Sequence, residues 1–427
     1  TYPQGTLAAQ LLGFVNDDGK GQYGIEEYLN DTLAGQTGLE KAVTDVNGIP
    51  LAVNNDNILK PAVAGSDITL TVDMGMQRIA EETLKNGIDR TKAVRGSILI
   101  MDAKTGAIKA MANYPTYDPG QYDKVSDISV FTNNIVTGAW EPGSVMKPLL
   151  LGATFTEGTA TPDTTYYDPG FVKIDDSTVT NSINWGAQTM SFRDLINKSL
   201  NTGAVYALKT LGGGEINEKA RQTWYNYLTT HYMFGKTTGI EQSGEAAGVV
   251  SGPNEGYGLE IRYANMAFGQ GMTVTPLQLA AAYAALVNGG TYYKPTLIAT
   301  KQVNGKVEQV KSEVIKGDVV SGQASAQIKE MLQSSVKTNN PTAVRNGFMI
   351  GAKSGTAEEA NSEGSYKTDA YNGAYSGFIE GADTQYVMLV RLDEPKTTGF
   401  ASAEAAKTWA ETSNKIIDNF AIKPKNP

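Results

Sequence analysis

Apolar runs predict six strands, and these cluster toward the two ends of the chain. The runs that fit strand patterns lie at residues 68–72, 96–101, 107–113, 349–357, 374–380 and 385–392. The second and third runs flank Lys104-Thr105-Gly106, a short stretch that fits a hairpin turn. Strands from both ends of one domain are therefore expected to meet.

Helical patterns fill much of the chain between and after these strands. Asp73 is a predicted helix cap, because a helical face of mostly apolar side chains follows it. That face contains Met76, Ile79, Ala80, Thr83 and Leu84. Residues 277–287 predict a buried helix, and residues 401–420 predict a terminal helix. The predicted fold class is α+β, with a sheet covered by helices.

Composition along the chain predicts three parts. Residues 1–66 are rich in Gly, Asn and Asp and do not form a complete domain pattern, residues 67–422 form the main domain, and residues 423–427 form a flexible tail. No apolar run reaches the roughly 18 residues of a membrane span. The sequence starts with Thr-Tyr-Pro and has no signal peptide, so we expect a fragment of a longer protein.

Composition and charge argue against several classes of function. The chain has 427 residues, of which 41% are hydrophobic, and a formal net charge of −9. No run of Lys or Arg stands out, so nucleic-acid binding is not expected. Cys is absent and His231 is the single histidine, so no His/Cys cluster supports a metal site. His231 is interpreted as incidental rather than as part of a Ser-His-Asp triad, and no cofactor is predicted.

Three short motifs in a fixed order carry the candidate chemistry. They are Ser144-Val145-Met146-Lys147 after Glu141-Pro142-Gly143, then Ser199-Leu200-Asn201, then Lys353-Ser354-Gly355-Thr356. A Ser-x-x-Lys, a Ser-x-Asn and a Lys-Ser/Thr-Gly in this order form the set used by penicillin-recognising acyl transferases. Each motif is weak alone, but the ordered set is specific.

Each of the three motifs has a second copy in the chain, and the residues around each copy argue against a catalytic role. The Ser-x-x-Lys at 334–337 lies in a helical pattern without a preceding Pro-Gly. The Ser-x-Asn at 182–184 lies in a polar loop, and the Lys-Thr-Gly at 104–106 is the hairpin turn. Ser199, in contrast, follows an amphipathic segment at 192–198 that could hold it rigidly.

The spacing of the first motif suggests how its serine becomes reactive. Pro142-Gly143 breaks the chain before an apolar run at 146–155, so Ser144 is expected near a helix N-terminus. Positions i and i+3 share a helix face, so Lys147 should point at the Ser144 hydroxyl. A lysine can accept a proton at neutral pH only if burial or another cation lowers its pKa from about 10.4. Lys353 is the candidate for that second cation.

The chain resembles the class B penicillin-binding proteins, the D,D-transpeptidases of peptidoglycan synthesis. Besides the three motifs, the resemblance is carried by Tyr2-Pro-x-Gly5, Gly24-Ile-Glu26, residues 68–77 and 102–111, and the Gly-Gln-Gly-Met-Thr-Val-Thr-Pro-Leu-Gln-Leu run at 269–279. It implies a penicillin-binding/serine β-lactamase-like transpeptidase domain at 67–422, with an antiparallel sheet covered by helices. Residues 1–66 would be the C-terminal part of an N-terminal pedestal domain of the dimerisation type.

The resemblance also implies catalytic roles. Ser144 would attack the carbonyl of the penultimate D-Ala of a stem peptide, and Lys147 would take its proton. Ser199 would relay a proton toward the departing D-Ala, and Asn201 would hold the amide of the donor peptide. An amine of a neighbouring stem peptide would then accept the acyl group.

The third motif would bind the substrate through Lys353, Ser354, Gly355 and Thr356. Lys353 and Thr356 would hold the terminal carboxylate, and the backbone N–H groups of Ser144 and Thr356 would form the oxyanion hole. Ser354 stands where many relatives have Thr, and it keeps the hydroxyl. β-Lactams imitate the D-Ala-D-Ala end and would leave a slow acyl-enzyme.

Two details resemble the division, or septal, branch of the family: Glu141 before Pro-Gly-Ser, and Asn rather than Asp at 201. No glycosyltransferase segment is visible, so a membrane glycosyltransferase and other division proteins are implied as partners. The resemblance further implies a single-pass anchor in the bacterial cell membrane, absent from this chain, with the catalytic domain on the extracytoplasmic side.

Three other functions fit parts of the sequence. A serine β-lactamase would need a deacylating base, such as a Glu-x-x-Leu-Asn after the nucleophile, but the one such string, at 26–30, lies upstream. A β-lactam sensor domain would be shorter and would lack the pedestal. A non-catalytic divisome scaffold would be expected to lose Ser144 or Lys147, and both are present.

Overall fold

A computed structural model gives the fold and describes residues 1–40, 58–303, 305–360, 366–397 and 399–425. Within these ranges the helices are α1 (Ala9–Leu12), α2 (Gly24–Tyr28), α3 (Asn30–Leu33), α4 (Met74–Thr91), α5 (Asn134–Thr137), α6 (Lys147–Thr156), α7 (Phe192–Lys198), α8 (Asn201–Leu211), α9 (Glu218–Asn226), α10 (Leu259–Ala267), α11 (Pro276–Val287), α12 (Gly322–Asn339) and α13 (Ala401–Asn419). None of these described helices combines the length and the apolar character needed to span a membrane.

The strands in the same ranges are mostly short, and six are longer than five residues. The full set of described strands is β1 (Phe14–Val15), β2 (Gly21–Gln22), β3 (Leu39–Glu40), β4 (Ile58–Lys60), β5 (Ile68–Leu70), β6 (Arg95–Asp102), β7 (Ile108–Tyr114), β8 (Thr165–Asp168), β9 (Phe171–Ile174), β10 (Ser177–Thr180), β11 (Gln188–Ser191), β12 (Tyr292–Tyr293), β13 (Ile298–Val303), β14 (Lys306–Gln309), β15 (Val314–Lys316), β16 (Met349–Ala360), β17 (Tyr366–Glu380) and β18 (Gln385–Asp393).

Five strands form the central antiparallel sheet, in the order β16-β17-β18-β6-β7. The predicted hairpin is present as β6 and β7, and the three predicted C-terminal strands are β16, β17 and β18. Both faces of β6 are buried, since Ile98 and Ile100 belong to one hydrophobic core and Leu99 and Met101 to the other. A strand covered on both faces appears in a sequence as a continuous apolar run, which explains why it was predictable.

Helices cover both faces of this sheet, which confirms the predicted α+β fold. On one face lie α4 and α13, and Trp409 of α13 donates a hydrogen bond to the backbone oxygen of Met388 in β18 (2.9 Å). On the other face lie α11 and α12, with α6 and α8 behind them. All residues of α11 are buried, as predicted for 277–287. The active-site motifs lie on this second side.

Two regions differ from what the patterns indicated. The strand predicted at 68–72 is present as β5, but it pairs with β13 in a separate three-stranded sheet instead of joining the central one. Two short two-stranded antiparallel sheets, β8 with β11 and β9 with β10, occupy a region that looked only helical and irregular. The Asp73 cap is confirmed, because its carboxylate accepts hydrogen bonds from the N–H groups of Gly75 and Met76.

The described part of residues 1–66 is attached closely to the rest of the chain. Leu11 and Ile25 belong to the same hydrophobic core as the helices behind the sheet. The side chain of Gln242 donates to the backbone oxygen of Leu11 (2.7 Å). At the other end, the backbone N–H of Lys425 donates to Gly347 (2.6 Å), within the predicted tail. The division at residue 66 and the flexible tail stay predictions; residues 41–57, 426 and 427 lie outside the described residues.

Candidate active site

Ser144 lies where a tight turn becomes a helix. Residues Gly143–Met146 form a 3-10 turn that continues directly into α6, so Ser144 lies three residues before the first α-helical residue. Lys147 is the first residue of α6, and its Nζ lies 2.8 Å from the Ser144 Oγ. The predicted contact between positions i and i+3 is therefore present. Ser144 is half-buried, whereas Lys147 is fully buried.

The surroundings of Lys147 favour a neutral amine. Its Nζ donates to the backbone oxygen of Ser199 (2.7 Å) and to the Oδ1 of Asn201 (2.8 Å). A neutral amine has two N–H donors for these acceptors and one lone pair that can accept the Ser144 proton. Burial, and secondarily the positive charge of Lys353, holds the pKa of Lys147 well below its usual range. Among the described residues, no carboxylate forms an ion pair with either lysine.

Ser199 connects the two lysines. Its Oγ lies 2.9 Å from the Nζ of Lys353 and 3.4 Å from the Nζ of Lys147. It ends α7 in the left-handed conformation, with φ 57° and ψ 46°. A non-glycine residue there costs about 1–3 kcal/mol, and such strain often accompanies functional positions. This backbone directs the Ser199 carbonyl to Lys147 and the Ser199 hydroxyl to both lysines.

Asn201 is held by groups on the neighbouring hairpin. Its Oδ1 contacts Lys147, and its Nδ2 donates to the backbone oxygen of Thr180 (3.0 Å). The next residue, Thr202, donates to the buried carboxylate of Asp168, and its N–H donates to the Oδ1 of Asn181 (3.1 Å). The start of α8 is thus fixed to β8 and to the segment after β10. One side-chain N–H of Asn201 stays available for a ligand.

Lys353 lies on β16, the edge strand of the central sheet, and its side chain reaches Ser199 beside the nucleophile. Only 1% of it is exposed, and its Nζ donates to the Ser199 Oγ, to the backbone oxygen of Ser354 (3.0 Å) and to the Ser354 Oγ (3.2 Å). Burial lowers the pKa of Lys353 to about 7. Lys353 therefore titrates close to neutral pH.

Gly355 and Thr356 complete the strand beside the nucleophile. A Cβ at Gly355 would lie 2.9 Å from the backbone oxygen of Pro142, so only glycine lets β16 approach Ser144 this closely. Gly143 is equally close to this strand. A Cβ at Gly143 would lie 2.8 Å from the backbone oxygen of Thr356 and 3.6 Å from its backbone nitrogen. All eight residues predicted for the site thus lie together, and their individual roles stay predictions.

The glycine-rich segment at 269–271 contacts the residues just before Ser144. No role was predicted for it from the sequence. Gly269 accepts a hydrogen bond from the N–H of Gly143 (2.9 Å), and a Cβ at Gly269 would lie 2.2 Å from the Gly143 oxygen. The N–H of Gly271 donates to the carboxylate of Glu141 (2.8 Å). The Gly-Gln-Gly run at 269–271 was visible as part of the resemblance, but its partner could not be read from the sequence.

Arg391 of β18 fixes the chain just before Glu141. Its guanidinium lies over the ring of Trp140 (4.9 Å to the centroid) and donates to the backbone oxygen of Gly138 (3.1 Å). Asp393 pairs with the same guanidinium at 2.6 Å. A buried, paired cation thus connects the middle of the sheet to the nucleophile segment.

The motif copies that were set aside lie away from these contacts. Ser334 is within α12, Ser182 is in an irregular segment after β10, and Lys104 is in the β6–β7 turn. His231 ends a π-helical turn and is half-buried, and its ring stacks on Tyr227 at 4.2 Å.

Comparison with known proteins agrees with this arrangement. Residues 96–416 match the family described as the penicillin binding protein transpeptidase domain. The chain is 31% identical to stage V sporulation protein D of Bacillus subtilis over 99% of its length, and 30% identical to penicillin-binding protein PbpB of Mycobacterium tuberculosis over 92%. It spans 64% and 58%, respectively, of the lengths of these two relatives.

A solved structure has the same fold over the whole chain. The crystal structure of penicillin binding protein 3 from Mycobacterium tuberculosis complexed with aztreonam superimposes with a TM-score of 0.84. It is 27% identical in sequence, and the match covers 100% of this chain and 91% of the other. The penicillin-binding type of α+β fold that the sequence implied is thereby confirmed.

Proposed function

We propose that this chain, which belongs to the penicillin-binding protein transpeptidase domain family, is a serine D,D-transpeptidase that cross-links peptidoglycan stem peptides through an acyl-enzyme on Ser144. One observation carries the proposal. The Ser144 hydroxyl lies 2.8 Å from a fully buried lysine whose pKa is held low, and the same lysine contacts the Ser-x-Asn motif. A hydroxyl with an adjacent neutral amine is an activated nucleophile.

The first half-reaction follows from the contacts of Lys147. As the Ser144 Oγ bonds to the carbonyl carbon of the penultimate D-Ala, its proton moves to the lone pair of Lys147. The backbone N–H groups of Ser144 and Thr356 would stabilise the carbonyl oxygen as it gains charge. Ser199, whose Oγ lies 3.4 Å from Lys147 and 2.9 Å from Lys353, would pass a proton to the nitrogen of the departing D-Ala.

Substrate binding uses the edge of the central sheet. The charge of Lys353 and the hydroxyl of Thr356 would hold the terminal carboxylate, and the hydroxyl of Ser354 lies beside Lys353. Gly355 lets β16 lie close to Ser144, so that one substrate can contact both the strand and the nucleophile. The free N–H of Asn201 would donate to the peptide. An amine of a second stem peptide then attacks the acyl carbon and gives a proton to Lys147. The bond between that carbon and the Ser144 oxygen breaks, and Lys147 returns the proton to the Ser144 oxygen.

The biological setting belongs to the same proposal. β-Lactams would acylate Ser144 because they imitate the D-Ala-D-Ala end. We propose a role in septal wall synthesis, with a membrane glycosyltransferase and other division proteins as partners. The site would face the extracytoplasmic side of a bacterial cell membrane, where stem peptides occur, and a single-pass anchor would hold it there.

Mass spectrometry after incubation with a penicillin tests the proposal. One drug mass should be added, on the peptide that contains Ser144, and Ser144→Ala should abolish labelling while the protein stays folded. Ser334→Ala is the matched control, because Ser334 also precedes a lysine by three residues, and it should label like the parent. Labelling at Ser334, or none on folded parent protein, would contradict the proposal. Rapid release of hydrolysed drug would instead indicate a β-lactamase.

A further inference from the structure

A hydroxyl outside the three motifs contacts the substrate clamp. The Oγ of Ser402 lies 3.0 Å from the Oγ1 of Thr356. Ser402 is the second residue of α13, about fifty residues further along the chain, and only 9% of it is exposed. Side chains alternate along β16, the edge strand of the sheet, so Thr356 leans toward α13 and Lys353 toward Ser144, on either side of one exposed edge. Thr356 therefore receives its support from α13.

The close docking of α13 explains why Ser402 is fixed there. Gly373 lies opposite Thr356 in β17, and a Cβ at Gly373 would lie 2.2 Å from the backbone oxygen of Ala401. Further along the helix, the Trp409 indole donates to Met388 in the same sheet. Because the helix is held at its start and along its length, the Ser402 hydroxyl cannot move far from Thr356.

We propose that Ser402 is a positioning residue for recognition of the terminal carboxylate, an inference that rests on the transpeptidase function proposed above. Without ligand, the Thr356 hydroxyl donates to Ser402. A carboxylate can only accept hydrogen bonds, so Thr356 must turn its proton to the ligand. Ser402 then donates to the Thr356 oxygen, and the two hydroxyls and the carboxylate form a chain in which each bond polarises the next.

A matched pair of ligands separates this role from a general effect on the site. One is the thioglycolate thioester of an N-acyl-D-alanine, which carries a carboxylate in its leaving group. The other is the ethyl thioester of the same acyl group, which lacks that carboxylate. For each, the second-order rate constant of Ser144 acylation is measured in the parent and in Ser402→Ala.

Ser402→Ala should lower the rate constant for the carboxylate ligand about 5- to 10-fold, the effect of one lost hydrogen bond in a charged network. The ethyl thioester should react within about 2-fold of the parent rate, a difference too small to represent a lost bond. In a Thr356→Val background, Ser402→Ala should have no additional effect, because the two residues act through one hydroxyl. Ser402→Thr, which keeps the hydroxyl, should recover most of the discrimination between the two ligands.

Ser413→Ala is the control variant. Ser413 lies in the same helix, is fully buried, and its hydroxyl has no hydrogen-bond partner among the described residues. It should acylate like the parent with both ligands. If Ser402→Ala slowed both thioesters equally, or slowed neither, Ser402 would have no part in carboxylate recognition. Failure of the parent itself to form an acyl-enzyme would instead contradict the transpeptidase proposal.

Discussion

Replacing Lys353 with methionine should make the protein more stable in mild acid and less stable in mild alkali. Burial lowers the pKa of Lys353 to about 7, whereas a lysine in an unfolded chain has a pKa of about 10.4. The unfolded chain therefore holds this proton more tightly, and protonation below about pH 10 favours unfolding. The difference of about 3.4 pKa units, at about 1.4 kcal/mol per unit, lowers the free energy of unfolding by about 5 kcal/mol at pH 6, relative to high pH.

Methionine removes that penalty and also removes hydrogen bonds. Ser199 and the backbone oxygen of Ser354 each lose a donor, at a cost of about 1–3 kcal/mol in total. The balance is a gain in unfolding free energy of about 2–4 kcal/mol at pH 6. At pH 10 little of the penalty remains, and the variant should lose up to about 2 kcal/mol. The change of sign between the two pH values is the diagnostic result.

Urea unfolding of the parent and of Lys353→Met at pH 6 and pH 10 measures both differences. Lys329→Met is the control, since the Nζ of Lys329 pairs with a carboxylate oxygen of Glu380 at 2.9 Å and its loss should lower stability at pH 6. If Lys353→Met differed from the parent by the same amount at both pH values, the low pKa of Lys353 and the reasoning built on it would be wrong.

Three further changes test the site. Lys147→Arg should nearly eliminate β-lactam acylation at every pH, because arginine stays protonated, and substantial residual acylation would mean that the proton leaves by another route. Asn201→Asp puts a carboxylate 2.8 Å from Lys147 and should raise the pKa of that lysine, so the ratio of variant to parent acylation rates should increase with pH; a ratio independent of pH would contradict this. Gly269→Ala should destabilise the protein and slow acylation, because the new Cβ would lie 2.2 Å from the Gly143 oxygen. Gly213→Ala is its control, with φ 75° but open space around it, and equal effects of the two glycine changes on acylation would exclude a specific contact.

Local physical rules were enough to predict the parts of the fold and site that neighbouring residues determine. The hairpin of β6 and β7 was predictable because its apolar runs flank a turn sequence. The Asp73 cap was predictable because its carboxylate serves N–H groups two and three residues away. The contact of Lys147 with Ser144 follows from helix spacing alone.

Contacts between distant residues could not be predicted in this way. β5 has the pattern of a strand, but nothing within it distinguishes β13 as a partner from the central sheet. Ser402 lies in a small-residue run of α13 that fits any buried helix, and its contact with Thr356 depends on how closely the helix docks against Gly373. Gly269 is similar, because its need to be glycine comes from Gly143, more than a hundred residues away.

The proposed chemistry explains why, among the described residues, no carboxylate pairs with the buried Lys147 or Lys353. A carboxylate beside Lys147 would stabilise its protonated form, and the amine could then no longer take the proton of Ser144. Uncharged acceptors, the backbone oxygen of Ser199 and the amide oxygen of Asn201, orient the amine without that effect. Lys353 meets a different need, since its charge also has to bind the substrate carboxylate. With a pKa of about 7 in the free protein, it can regain full protonation on binding, when the ligand supplies the missing negative charge.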